Sequence, residues 1–248
     1  MAARELHTEA IYLHGGAEYR VMDFNPRRVV VEHIPYRSRF FTIARYHSDI
    51  KELKPDLKRN AYGVELAYGA GIIDHVVDGY YEKDRMTEKT VAENDLGKPI
   101  TYDFPTKIIN FKLPLKLTWT SVQKGSATHA AEHILISAAV TLTGADTAEM
   151  GGISYPDGSV VIYDGSYGGS GLTRLLYERM EKDFERGAGM LATCKCGRED
   201  GCPKCTYSPY CGNNNKYLWK DGALKSLKSV LKGSRTEAEA KPAGKSTV

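Results

Sequence analysis

The fold is decided by the stretch Cys194-Lys-Cys196-Gly-Arg-Glu-Asp-Gly-Cys202-Pro-Lys-Cys205-Thr-Tyr-Ser-Pro-Tyr-Cys211, which contains all 5 cysteines of the chain. Cys202 and Cys205 have the Cys-x-x-Cys spacing of a metal knuckle, and Cys194 and Cys196 project to the same side of an extended chain. The glycines and prolines among them supply the turns that so short a segment needs to fold around an ion. Four thiolates at about 2.3 Å complete a tetrahedral zinc site, so we predict one structural zinc ion per chain.

The spacing leaves open which four of the five cysteines bind the zinc. The most compact set is Cys194, Cys196, Cys202 and Cys205, and Cys211 is the substitute for any one of them. Metal binding contributes roughly 10 kcal/mol in small zinc modules. We therefore expect this segment to be unfolded without its ion.

Three other uses of the cysteines compete with zinc. Disulfides are typical of small secreted domains, whereas this chain has 248 residues and an odd number of cysteines. A redox Cys-x-x-Cys follows a strand and opens a helix, which the Pro-rich and Gly-rich surroundings here do not resemble. An iron-sulfur cluster also takes four cysteines and is kept as the minor alternative.

Composition places the chain among soluble globular proteins. Hydrophobic residues make up 42% and charged residues 26%, which is ordinary for that class. The sequence has no run of 18 apolar residues and no signal peptide, so we expect a cytoplasmic protein without a membrane partner. A net charge of +3 permits nucleic-acid binding without requiring it.

The first half of the sequence predicts β structure. Short runs rich in β-branched and aromatic residues alternate with turns at His14-Gly-Gly16 and Asn25-Pro26. Strands at such close spacing favour a small barrel-like sheet over residues 1–120. Residues 83–103 are polar and charged, and we predict a long loop there. The strands are predicted at 11–13, 19–21, 28–32, 40–44, 64–68, 72–81 and 106–119.

Arginines lie among aromatic residues in this half, as in Tyr36-Arg37 and Arg39-Phe40-Phe41. A single-stranded nucleic-acid platform needs this combination, because bases stack on rings and phosphates pair with guanidinium groups. An ordinary solvated sheet edge with core aromatics explains the pattern at least as well. The other residues of this pattern are Arg27, Arg28, Arg45 and Tyr46.

The second half predicts an α/β zinc-binding domain over residues 121–232, followed by a disordered tail at 233–248. Apolar spacing predicts a largely buried helix from Thr128 to Leu142. A strand at 159–164 leads through the loop Gly165–Gly171 into the next helix. The predicted fold class is thus α+β. The later helices are expected at 171–186, ending at Gly187, and at 219–232.

Two motifs in this half are candidates for chemistry. His129-Ala-Ala-Glu132-His133 has the His-x-x-Glu-His form of inverted zinc proteases, and helical spacing places the three side chains on one face. It lacks an obvious third ligand, so a buried polar cluster that braces the helix is the preferred interpretation. The loop Gly165–Gly171 lies where phosphate-binding loops lie, but it lacks the Walker lysine, and tight packing explains its glycines.

Three segments, taken in order, resemble a known family. They are His129-Ala-Ala-Glu-His133, then Ile162-Tyr-Asp-Gly-Ser-Tyr-Gly-Gly-Ser-Gly-Leu172, then the cysteine stretch with Gly201-Cys-Pro-x-Cys205. Together they are similar to the MrfA-type zinc-binding domain at the C-terminus of superfamily 2 DNA repair helicases of the MrfA/YprA kind. The same domain occurs in components of DISARM-type phage defence.

The resemblance implies that Cys194, Cys196, Cys202 and Cys205 are the zinc ligands, whereas Cys211 matches a cysteine of only some branches. It also implies a DNA-processing role beside a 3′-to-5′ helicase motor, in DNA repair or defence. The motor domains are absent from this sequence. We therefore expect a non-enzymatic accessory module that acts with a motor supplied by a separate subunit or missing from this chain, on single-stranded or forked DNA.

Candidate contacts to the DNA backbone or the motor are basic residues near the zinc, namely Arg174, Arg179, Lys204, Lys216 and Lys220. Two alternatives remain at this point. One is a zinc metallo-hydrolase that uses His129, Glu132 and His133. The other is a non-catalytic scaffold that binds only a protein partner.

Overall fold

The structure is a computed structural model that describes residues 2–240, with side chains described up to residue 233. Within this range the chain forms two antiparallel sheets and a set of α-helices. It divides into two compact units. One comprises residues 2–49, 73–104 and 210–214, and the other comprises 50–72, 105–209 and 215–240.

The first unit contains a three-stranded sheet of order β1-β2-β3. Gly15 and Gly16, both at positive φ, connect the first two strands in a tight hairpin. A register shift between Val21 and Asp23 marks a bulge in the second strand. The elements are α1 (Ala2–Glu5), β1 (Ile11–His14), β2 (Ala17–Asn25) and β3 (Arg28–Ile34).

The second sheet has five strands in the order β4-β5-β6-β8-β7. Its last three strands carry the apolar face on which the helices of the second unit pack. Ile109 pairs with Ile162, and Phe111 with Val160, so these four side chains line up across β6 and β8. The strands are β4 (Phe40–Ala61), β5 (Val64–Asp84), β6 (Thr90–Lys112), β7 (Met150–Ser154) and β8 (Ser159–Asp164).

The α+β class is confirmed, but the predicted barrel is wrong. Both sheets are open over the described residues, because each ends in two edge strands, β1 and β3 in one and β4 and β7 in the other. The predicted loop at 83–103 is also largely strand, since β6 begins at Thr90. Backbone pairing with β5 satisfies that segment, so it forms a strand without the apolar alternation by which strands are recognised in sequence.

Four helices follow or interrupt these strands in the second unit. α2 starts seven residues earlier than predicted, because Thr120 and Gln123 form a reciprocal capping box ahead of the apolar pattern. It ends at Gly144, whose φ of 76° suits glycine. No described helix has the length and apolar character needed to cross a membrane. The helices are α2 (Ser121–Thr143), α3 (Leu172–Glu178), α4 (Met180–Thr193) and α5 (Lys220–Ala240).

Helix α2 is buried on nearly all sides, as predicted, by β7, β8, α4 and α5. Ile134 and Leu135 are fully buried in this core, which stabilises the fold by about 1.5–3 kcal/mol for each side chain. The predicted helix end at Gly187 is wrong, since α4 continues to Thr193. Gly187 is instead a packing residue, because a Cβ there would lie 3.2 Å from Cδ2 of Leu135.

The predicted tail begins inside helix α5. The helix runs to Ala240, and residues 241–248 of the predicted tail lie outside the described residues.

The loop Gly165–Gly171 is organised by the buried carboxylate of Asp164. This carboxylate accepts the backbone N–H groups of Ser170 and Gly171 at 2.9 Å each and that of Thr173 at 2.7 Å. A side chain of the protein itself thus occupies the position that a phosphate takes in a phosphate-binding loop. The glycines serve the turn and the close packing, because a Cβ on Gly169 would lie 2.7 Å from Cγ of Lys107.

We predict that Asp164→Ala destabilises the protein by on the order of 3 kcal/mol. The substitution leaves three backbone N–H groups without an acceptor, and a buried unsatisfied donor costs about 1–3 kcal/mol. Urea unfolding measures the loss. Asp146→Ala, which removes only the exposed cap of a short 3-10 turn, is the control and should cost about 1 kcal/mol. An equal loss in the two variants would contradict the assignment.

Candidate metal centre

The cysteines lie in the segment that connects α4 to α5. At its start, the N–H of Cys194 still donates to the carbonyl of Met190 at 3.2 Å, and at its end the N–H of Lys220 donates to the carbonyl of Glu199 at 2.9 Å. Between these anchors the chain forms turns only, without a helix or strand. Its conformation therefore depends on the hydrogen bonds of these turns and on side-chain interactions.

Four thiols converge in this segment. The sulfurs of Cys194, Cys196, Cys202 and Cys205 lie within 4.8 Å of one another. The Sγ of Cys202 is 3.7 Å from that of Cys194 and 3.8 Å from that of Cys205. A zinc tetrahedron with bonds of about 2.3 Å has edges of about 3.8 Å, whereas a disulfide requires about 2.05 Å. The compact set of the sequence analysis thus has the geometry to hold one zinc ion.

The backbone around Cys202 is folded as a metal knuckle. The carbonyl of Cys202 accepts the N–H groups of Cys205, Thr206 and Tyr207. The N–H of Cys202 points at Sγ of Cys205 at 3.2 Å, an interaction that stabilises a thiolate. Gly201, at a φ of 92°, allows the close approach, because a Cβ there would lie 2.9 Å from that same sulfur.

The local environment shifts the pKa values of two of the four thiols in opposite directions. A backbone N–H from Arg198 lowers the pKa of Cys196 to about 7, whereas burial raises the pKa of Cys205 to about 12. A bound zinc ion would remove this difference, since a coordinating thiol is deprotonated outright. Four thiolates on one divalent zinc leave a net charge of −2 at the centre.

Lys220 supplies positive charge next to these sulfurs. Its Nζ donates to the carbonyl of Cys194 at 2.7 Å and lies 3.6 Å from Sγ of Cys196. The residue is only 8% exposed and stands in the first turn of α5, where a positive charge opposes the helix dipole. A negatively charged zinc-thiolate centre offsets both the free-energy cost of burying the lysine and the cost of placing its charge at the start of a helix.

Cys211 is not one of the four converging thiols. It is buried, its Sγ donates to Oδ1 of Asn213 at 2.8 Å, and its segment, residues 210–214, belongs to the first unit. The N–H of Tyr46 donates a hydrogen bond to the carbonyl of the neighbouring Gly212 at 3.2 Å. This placement separates Cys211 from the compact set.

The three polar residues of the His-x-x-Glu-His motif point to different partners. Glu132 packs on strand β7, where it bonds to Ser154 and leaves no room for a side chain on Gly152. Nδ1 of His133 lies 2.6 Å from the carbonyl of Thr206, and Nδ1 of His129 lies 3.3 Å from that of Tyr217. The predicted bracing role is consistent with these contacts, because they tie α2 to a strand and to the cysteine segment.

A protease-like site is not formed by this motif. Glu132 belongs to no group of metal-binding side chains among the described residues, although a zinc protease needs its glutamate beside the metal-bound water. Burial raises the pKa of Glu132 to about 7 and lowers that of His133 to about 3. The geometry thus opposes the metallo-hydrolase alternative.

The candidate DNA contacts differ in availability. Lys220 is committed to the cysteine site, Arg179 donates to the carbonyl of Leu142, and Arg174 bonds to Glu178 at 2.8 Å. Lys204 and Lys216 are exposed. Sequence reasoning therefore missed the role of Lys220, although a lysine in the first turn of a helix was a signal that a negative partner lay nearby.

Two arginines of the arginine-aromatic pattern form ion pairs within the first unit. Arg45 pairs with Asp78 at 2.8 Å and with Glu93 at 3.2 Å, and also with Asp95. Arg39 pairs with Asp84 at 2.8 Å and holds the pKa of that carboxyl at about 2. Guanidinium groups that already hold carboxylates are poor phosphate contacts, which favours the ordinary sheet interpretation.

Comparison with known proteins agrees with this centre. The family model described as the MrfA Zn-binding domain matches residues 131–206, which include the His-x-x-Glu-His motif from its third residue and all four converging cysteines. The protein MJ1572.1 of Methanocaldococcus jannaschii is 40% identical over 112 residues, which are 42% of this chain and 98% of that protein.

Two longer relatives are helicases. The ATP-dependent helicase YprA of Bacillus subtilis is 22% identical and is matched over 81% of this chain and 27% of its own length. The ATP-dependent helicase HRQ1 of Saccharomyces cerevisiae is 23% identical, over 91% of this chain and 23% of its own length. The chain thus spans about a quarter of each helicase.

Solved structures share the fold. The DUF1998 helicase MrfA bound to DNA superposes with a TM-score of 0.57 at 19% identity, over 92% of this chain and 30% of that one. MrfA alone gives a TM-score of 0.58 at 18% identity, over 93% and 30%.

We predict that Cys202→Ser combined with Cys205→Ser abolishes thiolate-bound metal and unfolds the cysteine segment. Two of four ligands are then lost, together with most of the metal's contribution to folding. Cobalt(II) substitution measures this, because the thiolate-to-cobalt absorption band appears only when cobalt is bound by sulfur, and its intensity rises with the number of thiolate ligands. Cys211→Ser is the matched control and should keep the band. A band that survives the double substitution, or is lost with Cys211, would contradict the ligand set.

We predict that Glu132 makes the protein less stable as pH rises. The native state holds the carboxyl proton up to a pKa of about 7, whereas the unfolded state releases it near 4.5. The native state therefore binds more protons in this window, and the free energy of unfolding falls between these pH values, by on the order of 3 kcal/mol at most.

Denaturant unfolding from pH 4.5 to 8, compared between wild type and Glu132→Gln, isolates this effect. The amide keeps the bonding shape without titrating, so the difference between the two stability curves should decline with rising pH and level off above about 7. A difference that is constant across the window would show that Glu132 titrates normally.

Proposed function

The chain belongs to the protein family of the MrfA Zn-binding domain, and on this premise we propose that it is a zinc-stabilised accessory module of a superfamily 2 DNA helicase. In this role it binds DNA beside the motor in DNA repair or defence. It does not itself hydrolyse ATP. The motor is provided by another polypeptide or by another part of a longer one.

The observation that carries this proposal is the closed four-thiol centre inside the matched family region. Four thiolates fill a tetrahedral zinc ion and leave no position for water or substrate, so the metal serves structure. We assign Cys194, Cys196, Cys202 and Cys205 as its ligands. The relatives YprA and HRQ1 are helicases by name, which supports a helicase context for this module.

The proposed DNA surface is the outer side of the cysteine segment. Lys195 lies between the first two ligands and Lys204 between the last two, and both side chains are exposed. Neither makes an ion pair or hydrogen bond within the described part of the chain. Because their neighbours are fixed by the metal, these lysines are held in position while they stay available for phosphates. We propose that they contact the DNA backbone.

We predict salt-dependent DNA binding that weakens when Lys195 and Lys204 are both replaced by glutamate. Removing two phosphate contacts should reduce the slope of log K against log salt by about 1.5. Fluorescence anisotropy with single-stranded, forked and duplex DNA measures both affinity and slope. The control is Lys228→Glu with Lys232→Glu, two exposed lysines of α5, which changes the net charge equally.

The outcomes separate the hypotheses. A loss specific to the cysteine segment supports the proposed surface. An equal loss in the control pair would mean that only net charge matters and that the surface lies elsewhere. Zinc-loaded protein without DNA affinity at low salt would favour the third hypothesis, a scaffold that binds only its protein partner.

A further inference from the structure

The two histidines of the His-x-x-Glu-His motif remain unused by the zinc-thiolate centre. They stand four residues apart on α2, one above the other on the same face. Their ring centroids are 4.4 Å apart, and the rings meet edge to face. A ring nitrogen of each lies within 4.8 Å of the other's. This separation is compatible with two imidazoles that share one metal ion, since zinc-to-nitrogen bonds measure about 2.0–2.1 Å.

Hydrogen bonds orient both rings. Nδ1 of His133 faces the carbonyl of Thr206 at 2.6 Å, and Nδ1 of His129 faces the carbonyl of Tyr217 at 3.3 Å. The ring of His129 also hydrogen-bonds to the backbone of Lys216. A carbonyl oxygen can only accept, so Nδ1 of His133 carries the hydrogen. In a neutral imidazole the lone pair then resides on Nε2. Metal-ligating histidines almost always have this arrangement, with the second ring nitrogen donating to a carbonyl or carboxylate.

Burial adds to this preorganisation. His133 is 5% exposed, and its ring is held between the helix and the chain directly after the last zinc cysteine. A ring fixed in this way loses little conformational freedom when it binds an ion. Glu132 does not compete for the position, because its carboxyl is committed to strand β7.

We propose that His129 and His133 bind a second divalent transition-metal ion through one ring nitrogen of each, in addition to the zinc of the cysteine site. The ion is of the zinc class, since imidazole is a preferred ligand of zinc, copper and nickel. Two imidazoles leave further coordination positions for water or other donors. The site differs from a protease centre, because no glutamate faces it, and its effect is to fasten α2 to the cysteine segment.

The test is the metal content of the untagged full chain, reconstituted with excess zinc and then dialysed. Wild type should hold one equivalent more than the cysteine site accounts for. His129→Ala should lose this equivalent and keep the cobalt-thiolate band of the cysteine site. His47→Ala, a substitution of an exposed histidine in the first unit, is the matched control and should keep both ions.

Two results would overturn the proposal. One is wild type that holds only the cysteine-bound ion under these conditions. The other is a folded His129→Ala that retains the extra equivalent. If His129→Ala does not fold, cadmium NMR of wild type decides. A second resonance in the nitrogen and oxygen range supports the site, and a single resonance in the four-sulfur range rules it out.

Discussion

The tetrahedral demand of one ion on four sulfurs is the constraint on which the second unit depends. The segment from α4 to α5 has neither helix nor strand, so it lacks the repeated backbone hydrogen bonds that fix conformation elsewhere. The four sulfurs nevertheless lie within 4.8 Å of one another, and two of their separations equal the edge of a zinc tetrahedron. The ammonium group of Lys220 lies 3.6 Å from Sγ of Cys196, where a negative centre stabilises its charge. Metal, thiolates and lysine therefore form one electrostatic unit, and removing any of them leaves the others with an uncompensated charge.

Helix α2 connects the cysteine segment to the rest of the second unit. It is enclosed on nearly all sides, so its few polar side chains need partners inside the protein. His133 bonds to the carbonyl of Thr206, directly after the last of the four converging cysteines, and Glu132 bonds to strand β7. The helix thus joins the cysteine segment to the sheet through two polar contacts. The His-x-x-Glu-His motif, which has the form of a catalytic site, serves here to hold α2, β7 and the cysteine segment in position relative to one another.

The sequence predicted local features well and long-range features poorly. Cysteine spacing favoured the four thiols that converge, because such spacing is set by the metal and by short turns that glycine and proline encode, but it left Cys211 open as a substitute. Apolar periodicity located α2 and β8. The barrel was wrong because strands β4, β5 and β6 are long and continuous, and polar stretches within them form strands only through pairing with neighbours. No local pattern reports such pairing.

Lys220 and Asp164 were missed for a related reason. Each is a charged residue whose partner is created by the folded chain: a thiolate centre for the lysine, and three backbone N–H groups for the aspartate. In sequence a lysine near a zinc site indicates a surface contact, and a glycine-rich loop after a strand indicates a ligand site. Burial reverses both interpretations. A buried charge must be neutralised within the protein, so it stabilises the fold and is not available to an outside ligand. We therefore expect the binding surface among exposed lysines such as Lys195 and Lys204.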